Sequence, residues 1–156
     1  MADSDYNAKI LQLLKSDDPA NIELAFQLCV EHDGVYNNEV ASYLQDHVLL
    51  CLRYGLESDY CSTVTELNLE EKGLKSLPPE LGQLHNLQEL NLWNNHLASL
   101  PPELGQLQDL VVLDLGYNSL KNLPPELGQL QALESLNLGT NFMTSLLPEI
   151  GQLRGL

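Results

Sequence analysis

The sequence predicts an α/β solenoid with a parallel sheet along its concave side, short 3₁₀ or α turns along its convex side, and an all-α N-terminal cap. Three observations carry that expectation. Residues 64–155 divide into four blocks of 23 residues: 64–86, 87–109, 110–132 and 133–155. Block positions 1, 4, 6, 11, 14, 18 and 21 are apolar in every block, 28 places out of 28. Residues 1–63 lack that period and show helical spacing instead. A fixed period between about 20 and 50 residues marks a coil built from one repeated unit.

In the first 63 residues, Ile10, Leu11, Leu13 and Leu14 predict a short helix that stops near Ser16-Asp17-Asp18-Pro19. Asp18 before Pro19 forms the N-cap and first position of a second helix, which has Ile22, Phe26, Cys29 and Val30 on one face and Gly34 at its end. A third helix is expected from about Asn38 to Tyr54, with Val40, Leu44, His47, Val48 and Cys51 on a stripe and Gly55 closing it. Glu57 to Thr63 reads as the joint. The first leucine layer of a solenoid needs a cover, and a helical segment immediately upstream supplies one.

Within each block, positions 4 and 6 alternate with 3, 5 and 7, which is the period of a short strand with one face inward. One strand per block, always entered from the same side, makes a parallel sheet. The segment Leu-Pro-Pro-Glu-Leu-Gly-Gln-Leu then returns the chain along the opposite flank. Its Pro pairs (78/79, 101/102, 124/125) suit a helical first turn, and its Gly (82, 105, 128, 151) disfavours a long helix. Each buried leucine contributes roughly 1.5–3 kcal/mol before conformational entropy is subtracted, so one block is unstable alone and four stacked blocks are stable.

Composition narrows the function. The 37 leucines, 27 of them after residue 63, concentrate the apolar content in the repeats. The net charge of −15 is spread over both parts, with 11 acids and 3 bases in residues 1–63 against 11 and 4 in 64–156. Phosphate recognition needs clustered Lys and Arg, so neither nucleic acid nor an anionic membrane surface is an expected partner. The start Met-Ala-Asp-Ser-Asp does not read as a signal peptide, and Val48–Leu52 is too short an apolar run to span a bilayer. Three cysteines without a disulfide framework suggest reduced thiols and a cytoplasmic location.

Candidate chemistry is sparse. Cys29 with His32 and His47 with Cys51 have spacings that could bring four zinc ligands together, but buried core thiols and a histidine on an apolar face explain the same residues. No metal or other cofactor is expected. There is no P-loop, no Gly-rich dinucleotide fingerprint and no His-Glu-x-x-His, and the chain does not read as an enzyme.

The spacing LxxLxLxxNxL across residues 64–156 closely resembles the leucine-rich repeat family. The Leu-Pro-Pro-Glu-Leu-Gly-Gln-Leu form is most similar to the 23-residue class found in intracellular Ras-associated, polarity-scaffold and bacterial leucine-rich repeat proteins. The resemblance implies that Asn95, Asn118 and Asn141, at position 9, point inward as a structural ladder bonded to loop backbone. Block one departs from the pattern with Lys72 at that place, and block four departs with Leu147 for the first Pro and Met143 at position 11.

The outward strand face holds the most informative side chains. Trp93, Tyr117, Val111 and Val112 fall close together there, amid Glu66, Glu70, Glu71, Glu89, Asn91 and Asp114. Exposed aromatics with apolar neighbours inside a polar rim have the composition of a binding hot spot. Packing of Trp93 onto Gly116 is the plainer alternative. The expected function is therefore a non-catalytic protein-protein interaction module that binds, on its concave face, a protein or peptide with a basic, partly apolar surface. Two alternatives stay open: part of a larger signalling protein or enzyme of Ras-of-complex GTPase or ubiquitin-ligase type, and a structural oligomer. The last leucine layer (Leu136, Leu138, Met143, Leu146, Ile150, Leu153) is expected to lie open beyond Gly155 and Leu156, favouring a homodimer through the C-terminal end.

Overall fold

The computed structural model describes residues 2–145, 148–153 and 155, and only the backbone at 2–4 and 152. The chain separates into two compact units, Met1–Cys61 and Ser62–Leu156.

The first unit is helical: α1 (Ala2–Leu14), α2 (Pro19–Glu31), α3 (Asn38–Gln45), α4 (Val48–Tyr54) and α5 (Ser58–Cys61). Asp18 caps α2 by accepting the Ala20 amide at 2.9 Å, with Pro19 in the first turn. Gly34, at φ 69°, donates to Cys29 O at 2.9 Å and closes that helix. Ile10, Phe26, Cys29, Val40, Leu44 and Cys51 are fully buried at the centre.

Three expectations for this unit are corrected. The single helix over 38–54 is two, because His47 leaves the helical region at φ −121°, ψ 57°. The break lets one apolar stripe serve two neighbours, α3 facing α1 and α4 facing α2. Val30 is 44% exposed. Residues 22, 26 and 29 share a narrow stripe, and residue 30 falls roughly 80° off its start at 100° per residue. The joint over 57–63 contains α5, whose Cys61 is buried.

The second unit repeats one coil four times. Strands β1 (Glu66–Asn68), β2 (Glu89–Asn91), β3 (Val112–Asp114) and β4 (Ser135–Asn137) form a parallel sheet in that order. Leu67, Leu90, Leu113 and Leu136 stand in register across it. The return segments are 3₁₀ turns, Pro79–Gln83, Pro102–Gln106, Pro125–Gln129 and Pro148–Gln152, each begun by the second residue of the Pro-Pro or Leu-Pro pair. Leucines 81, 84, 104, 107, 127 and 130 turn inward and are buried, giving a continuous core between sheet and turns.

The fourth coil differs. Leu136, Leu138, Met143 and Ile150 are half-buried, whereas the matching leucines of the second and third coils are buried. Leu153, expected to be open, is only 6% exposed because it closes the 3₁₀ turn, its amide donating to Ile150 O. Leu146 and Leu156 lie outside the described residues. Among the described residues no helix is long and apolar enough to cross a membrane.

Candidate partner-binding face

Three-residue strands leave positions 3 and 5 on the outer sheet face, and the loop that follows adds positions 7 and 8. Position 5 is more than filler. Asn68, Asn91, Asp114 and Asn137 each accept, through Oδ1, the backbone amide two residues on, at 2.9–3.0 Å. These side-chain turns bend each strand into its loop. Asn91 Nδ2 also reaches back one coil to Glu70 at 3.0 Å, and Asn137 Nδ2 to Asp114 at 3.0 Å. Asn91 and Asp114 are thus engaged in local structure as well as placed on the face.

Position 8 takes a left-handed conformation in every coil: Glu71 (φ 57°), Asn94 (53°), Tyr117 (53°) and Thr140 (54°). Asparagine tolerates that region, whereas a bulky or β-branched residue is strained there. The backbone amides of Glu71, Asn94 and Tyr117 bond to carbonyls of the next coil at 2.8–3.1 Å, which fixes the bend.

Two of the four apolar candidates, Trp93 and Tyr117, meet, whereas Val111 and Val112 stand at the start of the third strand, five to six residues before Tyr117. The rings of Trp93 and Tyr117 lie 5.2 Å apart at 58°. Tyr117 is 53% exposed, and Trp93, Val111 and Val112 are half-buried. Trp93 also lies over Gly116, where an added Cβ would stand 3.1 Å from its Cδ1. The packing of Trp93 onto Gly116 raised by the sequence is present, and the same ring meets the exposed Tyr117 at a tilt. Glu66, Glu70, Glu71 and Glu89 surround this patch and are exposed.

Inside the coil, Asn118 Oδ1 accepts the Leu97 amide at 3.0 Å, and its Nδ2 donates to Leu92 O (2.9 Å) and Leu115 O (3.1 Å). Asn95 and Asn141 make the same three bonds one coil earlier and later. Asn95 and Asn118 are 3% and 7% exposed, so their amides satisfy loop groups that have no sheet partner. Lys72, in the equivalent place, is exposed.

The thiols and histidines of the helical unit are engaged separately. Cys29, Cys51 and Cys61 are buried and unpaired. Burial pushes Cys29 up to about 11 and Cys51 to about 12, with the Glu57 carboxylate contributing to both. Cys51 Sγ donates to Leu44 O. His32 stacks on Tyr6 at 3.8 Å, and His47 meets Phe26 edge-on. Among the described residues no three His, Cys, Asp or Glu side chains are grouped to hold a metal.

A family model described as a leucine-rich repeat region matches residues 64–156. No curated protein matches. Among solved structures, the leucine-rich repeat ectodomain of the plant membrane receptor kinase GASSHO1/SCHENGEN3 from Arabidopsis thaliana, in complex with CASPARIAN STRIP INTEGRITY FACTOR 2, is 38% identical over 61% of this chain and 12% of its own, with a TM-score of 0.53. A leucine-rich repeat protein of Leptospira interrogans is 32% identical over 64% of this chain and 37% of its own, with a TM-score of 0.44. The chain thus spans well under half the length of either.

Proposed function

The chain belongs to the leucine-rich repeat family, and from that premise we propose that it is a non-catalytic protein-binding module whose outer sheet face holds a protein or peptide with a basic, partly apolar surface. The observation that carries this reading is the Trp93–Tyr117 pair. Tyr117 keeps a large ring exposed at a left-handed position where asparagine stands one coil earlier, so the tyrosine is a poor choice for stability alone. Aromatic anchors ringed by polar groups dominate binding energy in protein interfaces. The acidic surround favours a basic partner and speeds its approach. Family membership and the bound factor on the plant ectodomain support a protein partner. Three buried thiols suit a reducing compartment such as the cytoplasm.

The test is calorimetric titration of a captured partner into wild type and Trp93→Ala. The variant is expected to bind about 2 kcal/mol more weakly, or roughly 30-fold, while it still unfolds cooperatively at a somewhat lower melting temperature, because the ring also packs on Gly116 and Tyr117. Equal binding by Trp93→Ala and by a Glu70/Glu71/Glu89 charge reversal would place the partner elsewhere.

A second reading, self-association through the fourth coil, is favoured by the half-buried Leu136 and Leu138 beside the last strand of the sheet. Light scattering over a dilution series tests it, and a monomer at every concentration excludes it.

A further inference from the structure

The outer sheet face is graded along the solenoid. The register row at position 3 runs Glu66, Glu89, Val112, Ser135 from β1 to β4. At position 7 the order is Glu70, Trp93, Gly116, Gly139. Both rows pass from carboxylates through an apolar side chain to small residues, while position 5 keeps Asp114 and position 2 keeps Glu134 farther along. Positions 2, 3, 5, 7 and 8 of the four coils hold no Lys or Arg. The lysines of this unit, Lys72, Lys75 and Lys121, sit at positions 9 and 12, off the face.

The carboxylates are not equivalent. Glu70 and Glu71 accept amide hydrogens from Asn91 and Asn94, both at 3.0 Å. Glu66 and Glu89 are exposed register partners, and among the described residues they have neither a side-chain hydrogen bond nor an ion pair. Adjacent strands lie about 4.8 Å apart, so these like charges oppose each other directly, an arrangement that works against the sheet. Between them is a shallow depression of about 190 Å³, lined by Glu66, Leu67, Asn68, Glu89 and Asn91. A planar guanidinium seated there would bond both carboxylates at once and relieve their repulsion, which a compact ammonium does less well.

Resting on the binding-face reading above, we infer that the face recognises an extended partner segment by the spacing of two anchors: an arginine over Glu66 and Glu89, and an apolar side chain against Trp93 and Tyr117. Trp93 follows Glu89 by four residues on the same coil, a distance of at most roughly 13 Å at about 3.3 Å per residue. An extended partner running along the strand covers that distance in about four residues, which is the spacing between the two anchors.

Panning a phage-displayed library of random linear peptides on the full chain tests this, with each selected peptide then synthesised and titrated by isothermal calorimetry into wild type and each variant. The expected result is enrichment of arginine with an apolar residue about four places away. Binding should fall about tenfold or more in the Glu66→Gln/Glu89→Gln variant and separately in Trp93→Ala. Peptides that lose affinity in Trp93→Ala but not in the glutamate variant would overturn the arginine anchor and leave the face reading standing. Peptides that bind all variants equally, or no enrichment, would overturn both. Circular dichroism of each variant confirms that the sheet persists, because neither glutamate supports local structure.

Discussion

Gly82 stands so close to the next coil that a Cβ placed on it would lie 2.5 Å from the carbonyl oxygen of Glu103. The same glycine in the third coil would meet Glu149 O at 2.8 Å, yet Gly151 meets no described atom within 4 Å. Stacking distance, rather than helix breaking alone, demands this residue. Gly82→Ala should therefore destabilise the solenoid by about 2 kcal/mol or more by forcing two coils apart. Gly151→Ala should leave the urea midpoint unchanged or raise it. Equal effects at the two sites would refute the stacking argument.

Asn118→Ala strips one acceptor and two donated bonds from buried backbone. Stranding the Leu97 amide and two carbonyls is expected to cost about 2–3 kcal/mol. Asn118→Asp should do no better, because a carboxylate would then face the carbonyls of Leu92 and Leu115. Chemical denaturation of the three proteins side by side checks the order.

Replacing a strained side chain should stabilise the fold. Thr140→Asn and Tyr117→Asn both put a residue tolerant of the left-handed region at φ near 54° and 53°. Each should gain up to about 1 kcal/mol in unfolding free energy. The two then diverge: Tyr117→Asn should lose partner affinity and Thr140→Asn should retain it.

The thiols give the helical unit a signed response to alkaline pH. Burial raises Cys29 and Cys51 from the ordinary 9.0 to about 11 and about 12, so the folded state holds those protons longer than the unfolded chain does. Their contribution is complete below pH 9 and is lost as pH climbs through 11 to 12. Thermal melts should fall on the alkaline side, and replacing both cysteines with alanine should lessen that fall, leaving the part due to the raised Tyr36 and Cys61. Maleimide labelling at pH 8 should be slow unless denaturant is present.

The coil was legible because its signal is repeated: seven apolar positions in each block leave one way to stack, and the helical caps at Asp18 and Gly55 follow from local chemistry. What escaped the sequence depends on distance across the fold. Nothing in the stripe from Val40 to Cys51 signals a break at His47, since both halves are apolar and only their different neighbours separate them. The column Asn68, Asn91, Asp114, Asn137 is visible as a pattern, but its turn-forming role emerges only with the amides two residues on in place. The meeting of Trp93 and Tyr117 could be read from the 23-residue period alone. The hydrogen bond that Asn91 donates to Glu70, set against the bare Glu66–Glu89 pair, could not.

The asparagine ladder also sets a direction. The Leu74 amide finds its acceptor on Asn95, Leu97 on Asn118 and Leu120 on Asn141, each 21 residues later. The amide at position 11 of a coil is thus held by the asparagine of its successor. A chain emerging from the ribosome would carry one unlatched coil at its growing end, and each new asparagine would latch the coil made just before it. Because the latch always spans about one repeat, loop closure costs the same at every step, and the solenoid can assemble at the pace and in the direction of its own synthesis.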